Sequence, residues 1–365
     1  MSHTMRELVS RTKGVRSPTQ LGQISMSNEQ NETGKRNSMH YLEASNIRTD
    51  RDGKSLDQLY DSNDISDLFL FYDSFDNTKD IVDWMIRRPR VHGRIVDIDG
   101  DDDIVVVVPT IDSNSEMFVN LHEKVFPGLR IVAVESGKTP FFSYSRNVNK
   151  GISHALKYKP RFVIVSNDDM YRIDSIEILL NQLSTVPDDE GKVFYTRPGN
   201  YNSYWVNIGK PTLFRYLLLF LNSKYTRARI RIEEDHRDLL SLRYLVYGQN
   251  FPYNVMIKPE CEVQNVGSFS IYSQKFLQKS YGKLFDETYI NGMEDLDLSL
   301  RILSQKIIKR SLDYKIGSLM GKSLGKFASI RTLKQIVNSV YFNYKLHNGL
   351  LTLPIKSRSD GKNVK

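Results

Sequence analysis

The chain has 365 residues, 40% of them hydrophobic, which is enough to bury a core as one large domain or two small ones. Its single cysteine, Cys261, excludes an intramolecular disulfide framework and favours a reducing compartment such as the cytoplasm. The net charge of +8 is concentrated in residues 301–365, where 14 Lys or Arg face two Asp; this favours an anionic partner at that end, and nucleic-acid binding is not expected.

The N-terminal residues 1–58 are rich in Ser, Thr, Asn, Gln and Arg and show neither helical nor strand periodicity. They are predicted to be disordered or loosely attached. Residues 1–14 lack the apolar centre of a secretory signal, and no apolar run approaches the roughly 20 residues of a membrane-spanning helix. Apolar side chains become dense from Leu59 onward, so residues 59–103 are predicted as a helical lead-in to the main domain.

An acidic run precedes the main domain and raises the question of a calcium site. Its members are Asp97, Asp99, Asp101, Asp102 and Asp103. The position of Gly100 and the lack of a later Glu ligand do not match the spacing of an EF-hand loop. The run is therefore predicted to be a solvated turn before a strand.

Residues 104–305 alternate between strand and helix patterns. The β-branched run 104–108 predicts a buried parallel strand, and further strands are predicted at 130–134 and 161–165. Helices are predicted between them, at 115–125 and 146–156. This alternation predicts an α/β fold with a mostly parallel sheet flanked by helices. Polar residues that follow the strands should gather along one edge of the sheet, where such sheets bind ligands.

Acidic and polar residues follow each of the three predicted strands. These are Thr110 and Asp112, then Glu135, and then Asn167, Asp168 and Asp169. Adjacent carboxylates repel one another unless a cation joins them. Asp168 and Asp169 are therefore predicted to bind Mg²⁺ or Mn²⁺ together with substrate phosphates, and helix capping is the alternative interpretation of the pair.

The order of these segments resembles glycosyltransferase family two and its GT-A relatives. Residues 104–112 (IVVVVPTID) look like the opening strand and nucleotide-contacting turn of that family, and 131–137 (IVAVESG) like its second strand, with Glu135 in place of the usual Asp. Residues 145–155 (SRNVNKGISHA) resemble its Arg-Asn helix start, and 163–170 (VIVSNDDM) its strand and Asp-x-Asp-type metal motif. Residues 265–270 and 284–301 (LFDETYINGMEDLDLSLR) match its acceptor-side segment with a Glu-Asp pair.

The chain also departs from the family pattern. The stretch between Glu135 and Asp169 is shorter than usual, as if a helix-strand unit were missing, and Lys138 stands where a small hydroxyl residue is common. No Gln-x-x-Arg-Trp-like segment follows the Glu-Asp pair. This last difference argues against a processive polysaccharide synthase.

The resemblance implies a GT-A, Rossmann-like fold and an inverting, metal-assisted glycosyltransferase. Such an enzyme moves a sugar from a nucleotide diphosphate to a hydroxyl of a glycan, a lipid-linked acceptor or a protein. Asp295 would be the catalytic base. A single base without a second nucleophile favours inversion at the anomeric carbon. Glu294 would orient the acceptor, Asp297 is interpreted as a helix cap, and Tyr204 and Trp205 are candidates for acceptor contact.

On the donor side, the resemblance implies that Mn²⁺ or Mg²⁺ is held by Asp169 and Asp168. The predicted nucleotide-sugar-binding residues are Thr110, Asp112, Glu135, Arg146, Asn167 and Asp168. Two other classes remain open. A nucleotidyltransferase would normally carry a glycine-rich, basic loop after the first strand, which residues 109–114 lack. A binding protein with a degenerate GT-A fold would account for Asn167 and Glu135 as altered motif positions.

Residues 306–365 are predicted as a basic, helical tail. Apolar side chains interleave with lysines and arginines there, in a pattern that suits a membrane-surface helix and a lipid-linked acceptor. The apolar residues are Ile316, Met320, Leu324, Phe327, Ile330, Val337, Val340 and Tyr341. The alternative is a helix that packs its apolar face on the catalytic domain. The sequence therefore predicts a cytoplasmic protein and leaves peripheral membrane contact as a hypothesis.

Overall fold

A seven-stranded sheet lies at the centre of the described part of the chain. The computed structural model describes residues 53–75, 77–138, 141–187, 191–196, 204–208, 261–280, 282–319 and 328–352. Most of the predicted disordered segment, residues 1–52, thus lies outside the described residues. The central strands are β1 (Arg94–Ile98), β2 (Asp101–Thr110), β3 (Leu129–Glu135), β4 (Phe162–Ser166), β6 (Lys192–Thr196), β9 (Phe269–Ser273) and β10 (Ile308–Leu312).

The central sheet has the order β1-β3-β2-β4-β9-β6-β10. Strands β2, β3, β4, β6 and β10 run in one direction, and β1 and β9 run in the other. The sheet is therefore mostly parallel, as predicted. Two smaller antiparallel pairs accompany it: β5 (Met170–Arg172) with β11 (Ile316–Ser318), and β7 (Tyr204–Ile208) with β8 (Cys261–Asn265).

Helices cover both faces of the central sheet. The helices of the described residues are α1 (Leu56–Asp61), α2 (Ile65–Asp73), α3 (Thr78–Arg87), α4 (Glu116–Asn120), α5 (Tyr144–Ala155), α6 (Ile176–Ser184), α7 (Gln274–Lys279), α8 (Glu294–Ser304) and α9 (Ala328–His347). Of these, α1, α2, α3 and α9 share a separate core. Side chains alternate along β2, so Val106 and Val108 pack with residues of α4 and α6 on one face. Val105 and Val107 pack with residues of α5, α7 and α8 on the other. This two-sided burial explains the unbroken apolar run of β2.

The strands and helices predicted within residues 104–166 are confirmed. Helix α4 continues as a π-helical turn over Leu121–Val125, so the predicted helix at 115–125 is present in two parts. Helix α5 approaches the sheet closely at Gly151, where a Cβ atom would lie 2.4 Å from Cγ1 of Val107. Only glycine permits that approach without movement of the sheet.

Arg130 contacts three aspartates of the acidic run. Its guanidinium lies 3.0 Å from Asp97 and 2.5 Å from Asp99, and it also contacts Asp102. Asp103 pairs with Arg161 at 3.4 Å. All five aspartates are exposed, as predicted, but only residues 99–100 form the turn, because Asp97 lies in β1 and Asp101, Asp102 and Asp103 begin β2.

The C-terminal region departs from the predicted boundary at residue 305. Residues 308–312 form β10 of the central sheet, and 316–318 form β11. Helix α9 buries its apolar face against α2 and α3, with Leu333, Val337 and Phe342 in a shared core. This packing matches the alternative interpretation of the tail, and Val337, Val340 and Tyr341 are not free to face a membrane. Residues 320–327 lie outside the described residues.

No helix within the described ranges combines the length and the apolar character that are needed to cross a bilayer. The longest of them, α9, has 20 residues, but charged and polar side chains recur along it. Its apolar side chains pack within the protein, as described above.

A buried arginine joins the end of α3 to the loop that precedes α8. Arg88 is only 4% exposed, and its guanidinium donates to the carbonyl oxygens of Thr288 at 3.0 Å and Tyr289 at 2.9 Å. It also donates to the carbonyl of Glu287 at 3.3 Å and contacts that of Met85. The N-terminal helices therefore hold the loop that leads into α8.

We predict that Arg88→Met destabilises the fold by about 3 kcal/mol or more, because several buried carbonyl groups lose a charged donor. Urea unfolding monitored by circular dichroism measures this loss. The neighbouring Arg87→Met is the matched control, since Arg87 is exposed and should change stability by no more than about 0.5 kcal/mol. Equal losses in the two variants would contradict the role assigned to Arg88.

Candidate active site

The polar residues that follow β2 and β4 meet at one edge of the sheet, as predicted. The Thr110 hydroxyl donates a 2.9 Å hydrogen bond to Oδ2 of Asp168. Asp168 is 8% exposed and Asp169 is 3% exposed, so both carboxyl groups are buried. The Ser318 hydroxyl, at the end of β11, donates to Oδ1 of Asp169 at 3.3 Å. Three separate strands therefore position this pair.

Burial changes the proton affinity of Asp168. It raises the pKa of Asp168 from 3.8 to about 6; the hydrogen bond from Thr110 opposes this shift, and the charge of Asp169 adds to it. A carboxylate in this environment is stabilised by a cation that replaces the missing solvent. Burial therefore disfavours the ionised form of Asp168 unless a cation accompanies it.

Asn167 directly precedes the two aspartates in sequence. Its backbone N–H donates to the carbonyl of Ser268 at 3.0 Å, which fixes the residue at the end of β4. Its side-chain oxygen is buried and has no hydrogen-bond partner among the described residues. An amide oxygen without a partner is of the oxygen-ligand type that Mg²⁺ and Mn²⁺ prefer.

The protein would supply only part of the coordination of such an ion. No group of three or more His, Cys, Asp or Glu side chains is arranged to hold a metal within the part of the chain that the structure describes. Mg²⁺ commonly binds through one or two carboxylates and completes its shell with water and substrate phosphates. Asp168, Asp169 and Asn167 therefore suit an ion that arrives with a phosphate ligand.

Glu135 fixes the loop after β2. Its Oε2 accepts hydrogen bonds from the Ser113 N–H at 3.1 Å and the Ser113 hydroxyl at 2.5 Å, and its Oε1 pairs with Arg94 at 3.0 Å. The hydrogen bond from Ser113 is the main reason that the pKa of Glu135 is lowered, although burial opposes it. Asp112 lies in the same loop and is exposed, with its Oδ1 accepting from the Asn114 N–H at 2.8 Å.

Arg146 lies in the first turn of α5, half-buried. Ser143 caps this helix, since its hydroxyl accepts a hydrogen bond from the Arg146 N–H at 3.3 Å. The Arg146 guanidinium contacts Nδ1 of His92 at 3.2 Å. Because His92 lies just before β1, whose Arg94 is opposite Glu135, this cation is near the same edge of the sheet.

Glu294 and Asp295, here termed the acid pair, begin α8. Asn265 donates a 2.6 Å hydrogen bond from Nδ2 to Oδ2 of Asp295. The Ser299 hydroxyl lies 2.9 Å from Oδ1 of Asn265, which orients the amide so that its NH₂ group faces Asp295. The backbone N–H of Gly292 donates to Glu294 at 2.6 Å. Neutral donors therefore hold both carboxyl groups.

The acid pair has a raised affinity for protons. Burial raises the pKa of Glu294, and the charge of Asp295 raises it further. Burial also raises the pKa of Asp295, while the hydrogen bond from Asn265 opposes the shift. A carboxylate with a raised pKa is a stronger base at neutral pH, which is the property that general-base catalysis requires.

Tyr144 begins α5 and has a raised pKa. Burial raises the pKa of its hydroxyl, and the charges of Tyr272, Glu294, Asp295 and Asp169 each raise it further. The sequence did not identify Tyr144, although it precedes by one residue the segment that resembles the family helix start.

The interpretation of Asp297 as a helix cap is wrong. Its side chain is fully buried and contacts Nζ of Lys345 at 2.5 Å and Nε of Arg301 at 2.8 Å. The Tyr289 hydroxyl completes the set at 3.0 Å. Acidic residues in the first turn of a helix are typical of caps, which led to the prediction. Lys345 of α9 is distant in sequence, so no local pattern indicated its contact with Asp297.

The acceptor-side candidates Tyr204 and Trp205 lie in β7. Their backbones pair with Asn265 and Gln264 of β8, respectively, so β7 runs beside the residue that contacts Asp295. Their side chains lie outside the described residues. Besides Tyr144, sequence reasoning missed Ser299 and Ser318, which have no distinguishing motif.

Comparison with protein-family models and with curated proteins gave no match. Among solved structures, the crystal structure of residues 1–349 of S. aureus TarS is similar to this chain, with a TM-score of 0.30 and 13% sequence identity. The similarity covers 68% of this chain and 74% of that chain. At this level of similarity, the function is inferred from the geometry of the site.

The raised pKa of Asp168 predicts how the free energy of unfolding depends on pH. Its pKa is raised from 3.8 in the unfolded chain to about 6, so its favourable contribution is complete below about pH 4 and is lost as the pH rises through 6. At pH 7 the metal-free protein should therefore gain up to about 3 kcal/mol from Asp168→Asn, taking about 1.4 kcal/mol per pKa unit.

Urea unfolding in the presence of a chelator at pH 4 and pH 7 tests this expectation. The gain should be present at pH 7 and absent at pH 4. Asp112→Asn, an exposed aspartate near the same edge, is the control and should show no such pH-dependent gain. A loss of stability in Asp168→Asn at pH 7 would show that the folded protein favours the ionised carboxylate.

Proposed function

We propose that this protein is a metal-assisted, inverting glycosyltransferase that uses a nucleotide-diphosphate sugar. The observation that carries the proposal is that one short segment contacts the chain at both carboxylate groups: Asn265 donates to Asp295 at 2.6 Å, and the Ser268 carbonyl, three residues on, accepts from the Asn167 N–H at 3.0 Å. One group, Asp168 and Asp169, is buried and directly follows Asn167, whose side-chain oxygen has no partner among the described residues. The other, the acid pair, has the raised proton affinity of a base. Sugar transfer to a hydroxyl requires both functions.

The donor would bind at the edge formed by β2 and β4. Asp169, Asp168 and Asn167 would hold Mn²⁺ or Mg²⁺ against the diphosphate, where the ion would supply Lewis-acid stabilisation of the leaving phosphate. Thr110 would keep Asp168 oriented through its 2.9 Å hydrogen bond. We expect the loop that Glu135 fixes, with Asp112 exposed on it, to contact the nucleoside.

Asp295 would act as the base. It would accept the proton of the acceptor hydroxyl while the acceptor oxygen bonds to the anomeric carbon and the bond from that carbon to the phosphate oxygen breaks. The nucleoside diphosphate would leave with the bonding electrons. Asn265 would hold the Asp295 carboxylate, and Glu294 would orient the acceptor. One displacement with one base inverts the configuration of the anomeric carbon.

A thermal-shift screen of nucleotide diphosphates, with and without Mn²⁺, tests the donor side directly. A ligand that binds only the folded state raises the melting temperature by mass action. We expect at least one nucleoside diphosphate to stabilise the protein only when Mn²⁺ is present. Hydrolysis of the matching nucleotide sugar would then distinguish a glycosyltransferase from a nucleotidyltransferase or an inactive binding protein.

We predict that Asp169→Asn removes the Mn²⁺-dependent stabilisation and lowers sugar transfer by at least about 10²-fold, because a pre-positioned charge opposite the leaving group is lost. Isothermal titration with the nucleotide, together with a transfer assay, measures both effects. Asp313→Asn is the matched control, since Asp313 is an exposed aspartate that follows another central strand, β10. Unchanged turnover in Asp169→Asn would exclude the metal assignment.

We predict that Asp295→Asn lowers kcat by about 10²–10⁴-fold with little change in donor affinity, since the amide keeps the size of the side chain but cannot accept the proton. Steady-state kinetics with saturating donor measures the loss. Glu177→Gln is the control, because Glu177 occupies the same second position of a helix, α6, and is exposed.

The comparison with Glu294→Gln identifies the base within the acid pair. If Asp295→Asn is fully active and Glu294→Gln is inactive, the base is Glu294. If both variants are active, the proposed mechanism is wrong. Asp297→Asn cannot serve as a control, because Asp297 is buried between two cations.

A further inference from the structure

A buried group of charges joins α9 to the start of α8. Nζ of Lys345 lies 2.8 Å from Asp286 and 2.5 Å from Asp297, and Nε of Arg301 lies 2.8 Å from Asp297. Lys345 is 8% exposed, although lysine is rarely buried unless it is paired. Two cations and two carboxylates balance one another in this group.

Two tyrosines complete the hydrogen bonding of the carboxylates. The Tyr341 hydroxyl donates to Asp286 at 2.9 Å, and the Tyr289 hydroxyl donates to Asp297 at 3.0 Å. Their rings contact each other, with centroids 4.9 Å apart. Burial is the largest influence on the pKa of Asp286 and would raise it, but the charge and hydrogen bond of Lys345, with the hydrogen bonds from Thr288 and Tyr341, together lower it. Direct contacts within the fold therefore compensate the burial of this group.

The same helix also holds the backbone that leads into α8. The Asn338 side chain accepts a hydrogen bond from the Ile290 N–H and donates one to the Ile290 carbonyl, both at 2.7 Å. Gln335 donates to the carbonyl of Asn291 at 3.4 Å. A Cβ atom on Gly292 would lie 3.1 Å from Nδ2 of Asn338, so α9 approaches this loop closely.

The loop needs such support because its conformation is unfavourable by itself. Asn291 and Met293 have φ angles of 51° and 68°, in the left-handed region that residues with side chains rarely adopt. Glu294 follows directly, and its carboxylate bonds back to the Gly292 N–H at 2.6 Å. A shift of this loop would move both members of the acid pair relative to the donor.

We propose that α9 positions the acid pair for the proposed transfer reaction, and that Lys345 and Asn338 are its positioning residues. Lys345 holds α8 through Asp297, one turn beyond Glu294, and Asn338 holds the loop before Glu294. One helix from the C-terminal region, α9, thus holds both the residues that precede the acid pair in sequence and the residues that follow it. The expected kinetic effect rests on the proposed function. The contacts between α9 and the loop do not depend on it.

Lys345→Met, Lys345→Arg and Lys334→Met form a matched set on this one helix. We expect Lys345→Met to lower kcat at least ten-fold while the KM for the donor changes less than two-fold, because the donor is held at β2 and β4. Lys345→Arg keeps the charge and should recover most of kcat. Lys334, whose Nζ donates to the carbonyl of Asp61 at 2.8 Å, anchors α9 elsewhere, so Lys334→Met should keep both constants.

Asn338→Ala decides the question if Lys345→Met does not fold, since it releases the loop without leaving a buried charge. It should lower kcat with an unchanged donor KM, and hydrogen exchange of residues 290–297 should become faster. A folded variant with normal kcat and normal exchange overturns the inference. If the wild-type protein transfers no sugar, the proposed function fails, and the exchange measurement still tests whether α9 holds this loop.

Discussion

Carboxyl groups held away from water by neutral donors define the chemistry available to this protein. A hydroxyl bonds Asp168, a backbone N–H bonds Glu294, and an amide bonds Asp295. Neutral donors offset only part of the cost of burying charge, so the pKa of each of these groups is raised. Such groups gain the most from a cation or a proton that arrives with a substrate. Stability and reactivity are thus opposed at this edge of the sheet.

Asp297 shows the other way in which a buried carboxylate can be stabilised. It lies in the same first turn of α8 as the acid pair, but Lys345 and Arg301 contact it directly. Its charge is therefore matched within the fold and does not depend on a ligand. One helical turn combines two carboxyl groups suited to chemistry with a third that fixes the turn in place. We therefore expect substitution of Asp295 to change the kinetics of the reaction and substitution of Asp297 to destabilise the fold.

The sequence predicted the elements whose signals are local. Continuous β-branched runs identified β2, β3 and β4, and their alternation with helices placed Thr110 and Asp168 at one edge, where they form a hydrogen bond. Contacts between distant segments were not predictable in the same way. β9 enters between β4 and β6 from far along the chain, and Ser318 reaches Asp169 across 149 positions. Neither leaves a periodic pattern near the residue that it contacts.

The position of the edge strand β1 accounts for the short stretch between Glu135 and Asp169. β1 runs antiparallel to β3, with Arg94 opposite Glu135, and thus occupies the edge beside β3 that a further helix-strand unit could have filled. Both oxygens of Glu135 are then engaged, by Arg94 on one side and by Ser113 on the other. A carboxylate with both oxygens engaged holds the loop in place. Under the proposed function, we therefore expect donor selection to depend on Asp112 and its exposed neighbours, and substitution of Glu135 to act by displacing that loop.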